Sequence, residues 1–120
     1  MNKSIAYKKA FQLASKVVLF CQTLKKEQKE FELANQLLKC GTSIGANLAE
    51  ANGAISKADF SNKVSIAYKE TLETKYWLEL LLEVKLIGKT DFDNLYLPTD
   101  EIARILFSIL KTSRINITNN

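Results

Sequence analysis

The sequence predicts an all-α, antiparallel up-and-down four-helix bundle, and three observations carry that expectation. Apolar residues recur at spacings of three and four along most of the chain. No stretch shows the period-two alternation of a half-buried strand. Four glycines and one proline in 120 residues leave few turn-makers, which favours long helices over many short strands. A chain of this length supports one hydrophobic core, and 47% apolar with 25% charged residues is the mix of a folded chain, not a disordered one. The bundle is expected to occupy residues 1–115, with a frayed tail at 116–120.

In the first segment Tyr7, Ala10, Phe11, Ala14, Val17, Val18, Cys21 and Leu24 fall on one helical arc facing a core. Leu13 and Phe20 fall outside that arc beside Lys9 and Lys16, where a lone subunit would leave them wet. They are the expected oligomer interface. Beyond the lysine-rich run from Lys25 to Lys29, Phe31, Leu33, Leu37, Ile44 and Leu48 resume the repeat as a second helix reaching about Asn52-Gly53.

Ser56 followed by Asp59 is a capping signal. From it Phe60, Val64, Ala67, Thr71, Thr74, Leu78 and Leu81 define a third helix expected to end near Gly88. A short helical turn is expected over Thr90 to Tyr96. Pro98 and Thr99 then start the last helix, buried through Ile102, Ile105, Leu106, Ile109 and Leu110. Short connections make neighbouring helices antiparallel.

Two features of the second helix call for an explanation. Gly41, Gly45 and Ala49 place three minimal side chains on one strip. Either the helix breaks at Gly41 or another backbone crosses closely there, since each internal glycine costs about 1 kcal/mol relative to alanine. Gln36, Ser43, Asn47 and Glu50 project from one side as a polar stripe, answered on the third helix by Glu70 and Glu73. Glu70 is expected to be partly buried and to need donors from Ser43, Asn47 or a lysine such as Lys63 or Lys69. A polar network that fixes helix register accounts for these six residues; an inter-subunit contact is the other reading.

The chain has no histidine, which removes the commonest general base and the usual nitrogen ligand. Helix-bundle di-metal sites use Glu-x-x-His, so no metal, cofactor or catalytic residue is expected, and the protein reads as a non-enzyme. Cys21 and Cys40 lack metal or redox spacing and read as buried hydrophobes. The longest apolar run, Val17 to Cys21, is far too short for a membrane span or a secretory segment, so no membrane partner and a cytoplasmic location are expected.

Seventeen basic against thirteen acidic residues give a net charge of +4. Residues 1–40 alone carry eight lysines against three glutamates. Lys8, Lys9, Lys16, Lys25, Lys26 and Lys29 are therefore the candidate nucleic-acid contacts, acting on phosphates without sequence specificity.

The run from Gln36 to Ala51, Gln-Leu-Leu-Lys-Cys-Gly-Thr-Ser-Ile-Gly-Ala-Asn-Leu-Ala-Glu-Ala, resembles the signature of the four-helix bundle proteins first named from 23S rRNA intervening sequences. Ser56 to Phe60, Ile66 to Glu70 and Glu73 to Leu78 are similar to the family's third-helix pattern, and Ala10 to Ala14 to its first. Lys39-Cys40 and Ala49 depart from it, standing where an arginine followed by a small residue, and an acid, are common. The resemblance implies a cyclic homo-oligomer, a pentamer, with a link to RNA, and it brings no catalytic residues. The alternative function is a protein-interaction scaffold or accessory subunit whose lysines are only a solvated face.

Overall fold

The computed structural model describes residues 4–118, with side chains through Ser113. Four helices follow one another: α1 (Ile5–Gln28), α2 (Phe31–Asn52), α3 (Lys57–Glu83) and α4 (Lys89–Thr118). No strand occurs among the described residues. Helix α1 packs on α2 and α4, and α3 packs on the same two. Connections of a few residues force each helix to run back along its predecessor.

The helix starts follow from side-chain caps. Ser4 Oγ accepts the Tyr7 N–H at 3.0 Å and Ser56 Oγ accepts the Asp59 N–H at 3.0 Å. The Asp59 carboxylate reaches back to the Ile55 N–H at 3.2 Å, closing the turn that launches α3.

The helix ends differ from expectation. Helix α3 stops at Glu83 and not near Gly88. Lys85 adopts the left-handed conformation, φ 64°, and the Leu86 N–H closes onto the Leu81 carbonyl at 2.9 Å. This is a Schellman closure built on a lysine. Lys29 performs the same task after α1, with φ 58°. Helix α4 likewise begins at Lys89, so the separate turn over 90–96 and the start at Pro98 are replaced by one helix with Pro98 inside it. An internal proline costs about 3 kcal/mol. Burying Phe92 and Leu95, on the same stripe as Ile102 and Leu106, returns roughly 1.5–3 kcal/mol each, which is enough to carry the helix through. The residues of the expected tail continue α4 to Thr118; Asn119 and Asn120 lie outside the described residues.

The core contains Ala6, Ala10, Leu13, Val17, Cys21 and Leu24 from α1, facing Leu37, Ile44 and Leu48, then Val64, Ala67, Leu78 and Leu81, then Leu95, Ile102 and Leu106. Leu13 is 1% exposed, so it belongs to the subunit's own core and not to an oligomer interface. Phe20 is half-buried against the same core. The physical reason is that α1 has two neighbours. Its buried sector is centred near Val17 and extends toward α4 as well as α2; Leu13 lies on the α4 side of that sector, while Phe11 lies outside it, 60% exposed.

Helix α2 is unbroken at Gly41. A Cβ placed there would stand 2.9 Å from Val17 Cγ1, and one on Gly45 would lie 3.7 Å from Ala10. The glycines thus seat α2 closely on α1, whereas Ala49 is exposed and takes no part in the crossing.

Candidate nucleic-acid interface

From Ile5 to Lys26, α1 carries five lysines and no acidic residue. The fold divides them. Lys9 Nζ lies 3.2 Å from Glu101 Oε1, and Lys16 Nζ donates to Asn94 Oδ1 at 3.2 Å, so both are turned against α4. Lys25 is half-buried near Cys21. Lys8 and Lys26 are exposed, and their separation of eighteen positions places them on one side of the helix, about 27 Å apart. Lys29 is exposed at the left-handed cap. The six lysines therefore do not form one continuous patch; Lys8 and Lys26 define the outward cationic strip.

Beside Lys8 the structure brings together residues that a lysine count overlooks. The Tyr7 and Phe11 rings lie 6.2 Å apart, tilted, and with Lys8 and Gln12 they line a cleft of about 290 Å³. The signal was present as Tyr7 and Phe11 at a spacing of four, but both were counted toward the core.

The polar stripe of α2 faces α3 as expected, yet its members mostly satisfy their own helix. Ser43 Oγ donates to the Lys39 carbonyl at 2.7 Å and Asn47 Nδ2 to the Ser43 carbonyl at 2.8 Å. Neither supplies the donor expected for Glu70. The cross-helix bond is Lys63 Nζ to Glu50 Oε1 at 2.8 Å. Gln36 and Glu73 are exposed, and Glu73 accepts from Trp77 Nε1 at 3.4 Å along its own helix. Burial raises the Glu70 carboxyl above its ordinary range, Glu73 adds to the rise and Lys39 opposes it.

A second polar group, unmarked in the sequence reading, straps α3 to α4. Lys75 Nζ lies 2.8 Å from Asp100 Oδ1, Arg104 Nη2 is 3.0 Å from Asp100 Oδ2, and the Tyr96 hydroxyl donates to Glu79 Oε2 at 3.2 Å. Along this side Leu72, Tyr76 and Phe107 remain largely exposed. Among the described residues no three carboxylate or thiol groups gather in a metal-binding arrangement, and no helix is long and apolar enough to cross a membrane.

The family model described as 23S rRNA-intervening sequence protein matches residues 2–108. The chain belongs to that family. A crystal structure of a protein of unknown function from the S23 ribosomal protein family of Bacteroides thetaiotaomicron is 43% identical, with a TM-score of 0.87 over 89% of this chain and 99% of the other. None of the curated proteins matches the chain. In this member of the 23S rRNA-intervening sequence family, the outward strip of α1 presents Lys8 and Lys26 with no acidic residue between them.

Proposed function

We propose that the protein is a non-enzymatic, cytoplasmic homo-oligomer that binds RNA through the outer face of α1 without sequence specificity. The observation that carries the reading is the acid-free run from Ile5 to Lys26, with Lys8 and Lys26 exposed on one side. Phosphates meeting such a strip release counterions and gain attraction that no carboxylate of α1 before Glu27 opposes. Membership in a family named for an insertion in 23S rRNA supports RNA over other polyanions.

Self-association multiplies the effect. The exposed Leu72, Tyr76 and Phe107 along α3 and α4 supply an apolar surface for contact between copies, in place of Leu13 and Phe20. A ring of five, as the family resemblance implies, would carry +20 from subunits of +4.

The test is fluorescence anisotropy with a structured RNA across a salt series. Affinity should fall steeply, with a log-log slope of about −0.7 to −0.9 per phosphate contacted. Charge reversal at Lys8 and Lys26 should weaken binding more than reversal at Lys9 and Lys16, which already face α4. Absence of binding at low salt overturns the reading. Sedimentation of Leu72→Glu and Tyr76→Glu tests the assembly, which should dissociate.

A further inference from the structure

Resting on the RNA-binding reading above, we propose that the cleft formed by Tyr7, Lys8, Phe11 and Gln12 takes one unpaired base of a single-stranded RNA segment, stacked on Phe11 with its phosphate on Lys8. Phe11 is 60% exposed, more than Phe31 at 54% or Phe107 at 56%. Tyr7 stands 6.2 Å away at a 34° tilt and braces one side of it. The resulting cleft, about 290 Å³, is lined by these four α1 residues and opens to solvent. Gln12 presents an amide that can both donate to and accept from a base edge.

Charge and ring exposure together select this cleft: the cleft at Phe60 also holds a lysine, Lys57, and no acid, but Phe60 is half-buried against the core. The cleft at Leu72 and Tyr76 includes Glu79, and the one formed by Phe92 and Tyr96 includes Glu79 and Glu83. A phosphate brought to either would meet a carboxylate. The cleft at Phe11 contains a lysine and no acid, and α1 supplies no acid before Glu27. An exposed ring beside an uncompensated lysine is the pairing that single-strand binders use: the ring stacks any base, and the cation holds the backbone. A paired base in a duplex cannot reach the ring.

The experiment compares a labelled, unstructured single-stranded RNA with a blunt RNA duplex of equal length, using full-length protein and the variants Phe11→Ala, Phe11→Trp and Lys8→Gln. The single strand should bind more tightly than the duplex. Phe11→Ala should weaken single-strand binding about 5- to 100-fold and leave duplex binding unchanged, with Phe11→Trp retaining affinity. Lys8→Gln should reduce the salt slope by about 0.7. Circular dichroism checks that Phe11→Ala remains folded, as its exposure leads one to expect. Equal affinity for both RNAs, or single-strand affinity indifferent to Phe11→Ala, overturns the cleft and leaves the RNA-binding reading standing. If Phe11→Ala instead dissociates the oligomer in sedimentation with RNA affinity unchanged, the face belongs to a second copy and the proposal fails. No binding of either RNA overturns the RNA-binding reading itself.

Discussion

A Cβ on Gly41 would come within 2.9 Å of Val17 Cγ1 and 3.0 Å of its Cγ2, closer than side-chain carbons normally approach. Val17 is fully buried and β-branched, so its χ1 has little freedom to yield. Gly45, one turn on, faces Ala10 at 3.7 Å, which is ordinary contact distance.

These two glycines should therefore respond oppositely to alanine. Gly45→Ala gains helix propensity of up to about 1 kcal/mol and meets no obstacle. Gly41→Ala gains the same but overpacks the crossing, for a net loss of about 1–2 kcal/mol. Adding Val17→Ala to Gly41→Ala should cost less than the two changes separately, because the first removes the methyls that the second strikes. Urea denaturation of the four variants measures this; equal effects at Gly41 and Gly45 would show that α1 and α2 do not cross so closely.

The strap between α3 and α4 makes a pH-dependent prediction. Hydrogen bonding to Lys75 holds the Asp100 carboxyl below its ordinary range, with the charges of Lys75 and Arg104 adding to the effect. A carboxyl depressed in the folded state contributes stability above its unfolded pKa, and that contribution is lost as pH falls through the folded value. Asp100→Asn should therefore lower stability at pH 7 by about 1 kcal/mol, or some 3–5 °C in Tm. The gap to the parent protein should close as the pH falls below the ordinary carboxylate range and Asp100 itself becomes protonated. A gap that persists unchanged in acid would mean that the variant acts through packing and not through charge.

The two thiols should be inert in the folded protein. Burial pushes Cys21 and Cys40 up to about 11, with Lys25 opposing the rise at Cys21 and Thr74 at Cys40. Cys21 Sγ points at the Ala34 carbonyl at 3.3 Å, across the α1 and α2 seam. At pH 8 a thiol-disulfide reagent should label neither on the timescale on which it labels a free thiol, and both at once in denaturant. Selective native-state labelling of Cys21 would show that this seam opens independently of the rest.

The helical periodicity made most of this fold legible, because Val64, Ala67, Thr71, Thr74, Leu78 and Leu81 can share a face only on a helix, and all six are buried. What escaped depends on neighbours that a single helix does not specify. The arc through Tyr7, Phe11 and Val18 was as regular as the true one through Ala6, Leu13 and Leu24, and only the position of α4 decides between them. The glycine signal held at Gly53, which caps α2, and misled at Gly88: α3 ends at Glu83, closed by the left-handed Lys85, as α1 is closed by the left-handed Lys29. In the candidate interface the lysines could be counted, whereas their engagement with Glu101 and Asn94 and the cleft at Phe11 required α1 to be placed against the other helices.

Pro98 offers a direct measure of how strongly burial overrides local preference. Ten positions into α4 it removes the N–H that would bond the Asn94 carbonyl, and its ring crowds that same carbonyl. The next residue, Thr99, is fully buried and donates its hydroxyl to the Leu95 carbonyl at 2.7 Å, so the stripe continues without interruption. Pro98→Ala restores the missing bond and relieves the crowding. It also loosens the unfolded chain, which offsets about 0.4–1 kcal/mol of the gain. The expected net effect is a stabilisation of about 1–2 kcal/mol, seen as a Tm higher by several degrees. A drop in Tm would mean that α4 needs the proline's fixed backbone angle to keep Phe92 and Leu95 before it, and Ile102 and Leu106 after it, in register with the same core.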